Sequence, residues 1–199
     1  MTVARFGTVI VLRTCLALSV LLSVVVASPA AAAPASSQAS ISAPEHVLFI
    51  GNSHTRRHGG LDWLIGNFVA AEETPHAYEG TMVADGGATL AHHWDAGVAQ
   101  RIRSGDFDAV VLQGWLPGAP SATDEPFLEH AQNFEEVIDK TRARTILFMS
   151  WPGGPGAWPT LDDTVDAHRR LERGLGVAVA PAAVAFERSR AERPDIELI

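Results

Sequence analysis

His46-Val47-Leu48-Phe49-Ile50-Gly51-Asn52-Ser53-His54-Thr55 is the stretch on which the reading of this 199-residue chain turns. A run of apolar, partly β-branched residues stops abruptly at Gly-Asn-Ser. A buried parallel strand delivers a polar residue to the rim of a sheet in this way. Gly51 permits a tight turn because it has no Cβ. Asn52 tolerates unusual backbone angles and bonds locally. Ser53 then stands where a helix would begin, either as its cap or as an exposed hydroxyl.

Outward from that strand, the chain alternates. Leu61–Ala71 has helical apolar spacing through Leu61, Leu64, Ile65, Phe68 and Val69. Ala77–Ala84 reads as a second strand ending at Asp85-Gly86-Gly87, and Thr89–Arg103 as one helix. Phe107–Leu112 is a third strand, Asp124–Thr141 a helix and Thr145–Met149 a fourth strand. Leu161–Leu175 is helical, Val177–Ala180 a short fifth strand, Ala182–Glu192 a helix, and Ile196–Ile199 opens a further strand. Regular alternation of this kind predicts an α/β fold, a parallel sheet covered by helices on both faces.

The first residues read as something else. Arg5 and Arg13 precede an apolar stretch, Cys15–Ala27, and small residues follow from Ser28 to Ala33. This is the layout of a secretory signal peptide over 1–33, with processing between Ala27 and Ser36. A retained membrane anchor is the alternative, but the apolar core is short for a span. Residues 34–44 are rich in Ala and Ser and read as a flexible lead-in to a domain over 45–199. Without residues 1–43 the chain holds 13 basic against 23 acidic residues, a net charge of about −10. An acidic, secreted surface excludes nucleic acid as the expected partner. No stable membrane insertion is expected after processing. The single cysteine, Cys15, lies in the leader. The mature chain therefore relies on its apolar core rather than on a disulfide.

In open α/β sheets, ligands bind beyond the carboxyl ends of the strands, near the switch in strand order. With the order 2-1-3-4-5, the loops after the first and third strands face each other there. Ser53 and Gln113 would share a crevice, with Gly86 and Gly87 on its flank. A serine, exposed backbone N–H groups and a side-chain amide around one space are what acyl transfer requires: a nucleophile, and donors for a developing oxyanion.

These same segments resemble the SGNH (GDSL-like) hydrolases. Val47-Leu48-Phe49-Ile50-Gly51-Asn52-Ser53 is similar to the family's first block, with Asn where Asp is usual. Gly86-Gly87-Ala88-Thr89-Leu90, followed by His93-Trp94, is similar to the second block of a secreted branch, and Val110-Val111-Leu112-Gln113 stands at the third. The resemblance covers residues 46–199. It implies a flavodoxin-like three-layer α/β/α sandwich and hydrolysis of small or carbohydrate-linked esters through an acyl-enzyme. It implies Ser53 as nucleophile and as one oxyanion donor, with Gly86 or Gly87 as the second. No cofactor or metal is implied.

The chain departs from that family at two places. The third block usually reads Gly-x-Asn, whereas Gly114-Trp115-Leu116 puts leucine at the Asn position. Gln113 carries the same NH₂ donor on a longer arm and is expected either to supply the oxyanion amide or to bond neighbouring backbone. The family's Asp-x-x-His, acid and base of the triad, occurs nowhere in the sequence. A serine without a base is a poor nucleophile. The expectation is a fragment with an incomplete carboxyl-terminal end and impaired turnover.

Of His92 and His93, which follow the glycine pair, His93 is the better placed to border the pocket; His54 adjoins the serine and is expected to point elsewhere. His168, next to Arg169 and Arg170, is expected on a solvated face. His54 and His58 share a helical spacing that zinc pairs use, but no third ligand joins them, so no metal is expected. Asn52, Trp115 and Trp151 are expected to line the pocket with His54 and His93, aromatic faces stacking on sugar or acyl groups. Trp63 is expected in the core. The rival reading is a non-catalytic ligand- or phosphate-binding module, its anion held at the Gly51–Thr55 loop with Arg56 and Arg57 nearby.

Overall fold

The opening strand forms as β1 (His46–Gly51), buried at every residue after His46, as a strand covered on both faces must be. The computed structural model describes residues 46–73, 77–114, 125–152 and 159–196. The leader, the lead-in, Trp115 and the end of the expected last strand lie outside the described residues.

After β1 come a single turn, α1 (Ser53–Arg56), a 3-10 turn over Arg57–Gly59, and α2 (Leu61–Ala70). β2 (Glu79–Ala84) leads to α3 (Leu90–Asp95) and α4 (Val98–Ser104). β3 (Ala109–Leu112), α5 (Glu125–Ile138) and β4 (Arg144–Phe148) follow. α6 (Leu161–Leu175), β5 (Ala178–Ala180) and α7 (Ala182–Glu192) close the order. The helix expected over Thr89–Arg103 is therefore two. Gly97 adopts φ +79, a left-handed angle that no continuous helix contains, and it starts α4 in a new direction.

The strands form one five-stranded sheet in the order β2-β1-β3-β4-β5, and all four pairings are parallel. The connection from β1 runs to one side and the later ones to the other. Right-handed crossovers then place α2 on one face and α3 to α6 on the opposite one. The packing follows that division. Leu48, Ile50, Val110, Leu112 and Leu147 join residues of α3 to α6 in the larger core cluster. Their strand neighbours Val47, Phe49, Ala109 and Val111 pack with Leu61 of α2, Tyr78 and Met82. Alternation with period two sends successive side chains to different faces.

Two expectations about burial fail. Trp63, expected in the core, is 59% exposed, and Phe68 on the same helix is 74% exposed. His168, expected in solvent, is 2% exposed and packs against Phe127. Its Nδ1 bonds the Thr164 carbonyl at 2.8 Å. Burial holds its pKa below the usual imidazole range, against the pull of the Thr164 and Phe148 carbonyls.

Candidate active site

The carboxyl ends of β1 and β3 stand side by side in the sheet, Ile50 opposite Leu112. Their loops meet at the switch in strand order, where ligand sites of open α/β sheets are found. β1 gives way to α1 at Asn52, and Asn52 is the cap. Its Oδ1 accepts the His54 N–H at 3.0 Å, and its Nδ2 donates to the Ala88 carbonyl at 3.2 Å. Ser53 is thus relieved of capping. It is the first residue of α1 and is exposed. Its amide, in the first turn, has no intrahelical carbonyl to bond.

The turn after β2 lies against this loop. The Asp85 amide donates to the Gly51 carbonyl at 3.3 Å, and the Ala88 amide closes the turn on the Asp85 carbonyl at 3.1 Å. Together with the Asn52 bond to Ala88, both ends of the turn are tied to residues 51 and 52. Gly86 and Gly87 are exposed between those ties. Gly87 has φ +71, which L side chains rarely adopt, and a Cβ at either glycine would point into open space. Among the described residues neither glycine amide has a backbone acceptor. His92 of α3 lies 3.7 Å from the Asp85 carboxylate on the outer side of the turn.

Gln113 occupies the floor. It is fully buried. Its Oε1 accepts the Asn52 amide and the Thr55 hydroxyl, each at 2.9 Å. Its Nε2 donates to the Gly114 carbonyl at 2.8 Å and reaches Ser150 Oγ at 3.5 Å. Both amide hydrogens are committed inside the protein. Of the two roles expected for Gln113, the structure gives the bonding of neighbouring backbone and not the oxyanion donor. His93 is also corrected. It is 1% exposed and lies behind β1, its Nε2 at 2.7 Å from the Gly51 carbonyl. Asn52, at 1% exposure, is part of the scaffold rather than of the pocket wall.

His54 turns away from the serine and stacks on Trp151, with ring centroids 4.7 Å apart and planes 7° from parallel. Trp151 stacks in turn on Phe186 of α7, at 4.5 Å and 12°. Two rings that close and that parallel must lie on opposite faces of Trp151. The indole therefore offers an edge, not a face, and the expected sugar stacking on it is not available. Burial, and then the charge of Arg57, hold the His54 pKa below the usual imidazole range. The expected His54–His58 helix face does not form, because α1 ends at Arg56 and His58 has φ 56. Among the described residues no group of three His, Cys, Asp or Glu side chains is disposed to hold a metal.

Thr55, Ala88 and Phe186 complete the site's scaffold and carry no sequence signal of their own. The amino edge of the sheet holds a separate open cleft of about 400 Å³, lined by His46, Tyr78, Asp106 and Arg142 among others. Its charges pair with one another: Arg142 bridges Asp106 at 2.7 Å and Asp108 at 3.1 Å.

No protein-family model and no curated protein matches this chain. Solved structures do match its fold. A lipolytic protein of the G-D-S-L family from Desulfitobacterium hafniense DCB-2 superposes with TM-score 0.52 at 16% identity, over 68% of this chain and 75% of that one. An acetylxylan esterase from Geobacillus stearothermophilus gives 0.51 at 15%, over 74% and 80%. The psychrotrophic esterase EstA from Pseudoalteromonas sp., inhibited by monoethylphosphonate, gives 0.54 at 10%, over 68% and 76%. The five-stranded parallel sheet and its flanking helices are the fold those proteins share with this one.

Proposed function

We propose that this chain is an SGNH-type serine ester hydrolase domain acting through an acyl-enzyme on Ser53. One observation carries the reading. At the carboxyl edge of the sheet an exposed serine, released from capping by Asn52, stands beside a glycine turn whose amides have no backbone acceptor among the described residues. Esterases among the proteins of like fold support it.

In this reading, Ser53 Oγ attacks the ester carbonyl and gives its proton to solvent water. The C=O π electrons move to the oxygen, which accepts from the Ser53 N–H and from Gly86 or Gly87. Collapse expels the alcohol, which takes a proton from solvent; water then attacks the acyl carbon, the bond to Ser53 Oγ breaks, Oγ regains a proton and the acid leaves. The sequence carries no Asp-x-x-His, so the proton acceptor that the family places there has no counterpart within residues 1–199. Slow turnover by this chain is part of the proposal. So is the substrate class, small or carbohydrate-linked esters, and so is secretion after removal of the leader.

The rival phosphate-binding reading needs several free amides in one loop. The amides of Asn52 and His54 already serve Gln113 Oε1 and Asn52 Oδ1, and those of Thr55 and Arg56 serve the Asn52 carbonyl. Within Asn52–Arg56, the Ser53 amide alone has no acceptor among the described residues.

A fluorophosphonate probe tests the proposal. Ser53 Oγ would bond to phosphorus and fluoride would leave. Label on Ser53, lost in Ser53→Ala and indifferent to millimolar inorganic phosphate, is the expected result. Label elsewhere, or phosphate protection with no label, would reject the esterase in favour of the binder.

A further inference from the structure

One peptide group, the carbonyl of Gly51 joined to the amide of Asn52, is gripped at both ends. Its carbonyl lies 2.7 Å from His93 Nε2 and accepts the Asp85 amide at 3.3 Å. A carbonyl only accepts, so His93 must carry its proton on Nε2. The amide end donates to Gln113 Oε1 at 2.9 Å. Both side chains are buried, at 1% and 0% exposure, and come from different segments of the chain.

The backbone ladder runs out here. The Gln113 amide makes its last bond to the Ile50 carbonyl at 2.8 Å. The Gln113 side chain then continues the ladder one peptide beyond the end of β3. The same Oε1 takes the Thr55 hydroxyl at 2.9 Å, tying α1 to the same point. Gly51 has to be glycine for this: a Cβ there would collide with Thr55 Oγ1 and lie 2.8 Å from Gln113 Oε1. A peptide plane held at both its carbonyl and its amide cannot rotate, and the next residue along the chain is Ser53.

We propose that His93 and Gln113 are positioning residues that lock the Gly51–Asn52 peptide and so set the direction in which Ser53 presents its hydroxyl and its amide. The proposal rests on the reading of Ser53 as the nucleophile. Neither residue touches substrate; each acts through the backbone. Misplacement of a reacting group by about 1 Å can cost on the order of 100-fold in rate. A merely structural pair would change stability and leave the reactivity of still-folded protein untouched.

The test uses the 199-residue chain with two readouts: the second-order rate of fluorophosphonate labelling at Ser53, and amide hydrogen exchange of Asn52 by NMR. In the parent, the Asn52 amide should exchange at least about 10-fold more slowly than those of Gly86 and Gly87, as a buried bonded group must. His93→Phe and Gln113→Met, still folded by circular dichroism, should label about 10- to 100-fold more slowly. His93→Gln, whose amide can donate from nearly the position of Nε2, should recover to within about threefold of the parent. Gln113→Met should also release the Asn52 amide while Val110 and Leu112 stay protected. Labelling at the parent rate in folded His93→Phe, no rescue by His93→Gln, or fast exchange of Asn52 in the parent would each overturn the proposal. Absence of label in the parent would instead overturn the nucleophile reading and the positioning role with it. The exchange of Asn52 would then still report whether the lock exists. Should a variant fail to fold, the parent exchange and His93→Gln decide.

Discussion

Ser53 and Asn52 divide the labour that either could have done. Because Asn52 caps α1, Ser53→Ala removes a hydroxyl that holds no cap and bonds no other group among the described residues. Its stability should stay within about 0.5 kcal/mol of the parent while labelling falls at least about 100-fold, by urea titration and by mass spectrometry. Asn52→Ala should do the reverse, costing about 1–2 kcal/mol through loss of the cap and of the bond to Ala88. His54 and His168 both titrate below the ordinary 6.5 because the fold buries them. The folded state then prefers neutral imidazole. Their stabilisation is complete above about pH 6.5 and drains as pH falls through the lowered folded values. Thermal unfolding between pH 7.5 and 5 should show a falling midpoint, and His168→Gln should flatten that fall. Part of this was legible in the sequence. The strand-to-serine turn was, because it is local chemistry. The burial of His168 is masked in the sequence by its neighbours Arg169 and Arg170. Consecutive helical residues point about 100° apart, and the stripe Thr164, Ala167, His168, Leu171 gave the inward face away. The inward turn of His93 and the grip of Gln113 had no local signal, since their partners lie 42 and 61 residues away.

At the scale of elements, periodicity located every strand and most helices, and the failures fall on glycine and on aromatic residues. Leu161–Leu175 and Ala182–Glu192 form with the expected bounds. The former is fixed by a capping box in which Thr160 and Asp163 bond reciprocally. Thr160→Ala should destabilise the protein by about 1 kcal/mol in chemical denaturation. Gly97 falls inside the helix expected over Thr89–Arg103 and is instead the joint between α3 and α4. With φ +79, Gly97→Ala should cost on the order of 1 kcal/mol rather than stabilise a continuous helix. Phe68, on the helical stripe, and Trp63 stand in solvent on α2, where Val69 alone is buried. Spacing shows that a stripe exists; it does not show how much of it the sheet below can cover.

For the molecule as a whole, alternation of strand and helix was enough to predict a parallel sheet, and the order β2-β1-β3-β4-β5 brings the first and third strand ends together. The loops after β1 and β3 meet there through the Asn52 amide and the buried Gln113 side chain. The acidic balance, 23 acidic against 15 basic residues, and the leader-like start belong to the same proposal of a secreted hydrolase. Amino-terminal sequencing of protein exported from a host cell should begin between Ala27 and Ser36, whereas an intact leader in the membrane fraction would favour the anchor. Acyl transfer at this edge of the sheet needs one oxygen site shared by Ser53 and the glycine turn. A crystal structure of the phosphonylated protein measures it directly. Phosphorus should be bonded to Ser53 Oγ, with the phosphoryl oxygen within about 3 Å of the Ser53 amide and of the Gly86 or Gly87 amide. A phosphoryl oxygen facing solvent, or an adduct on any other residue, would contradict it.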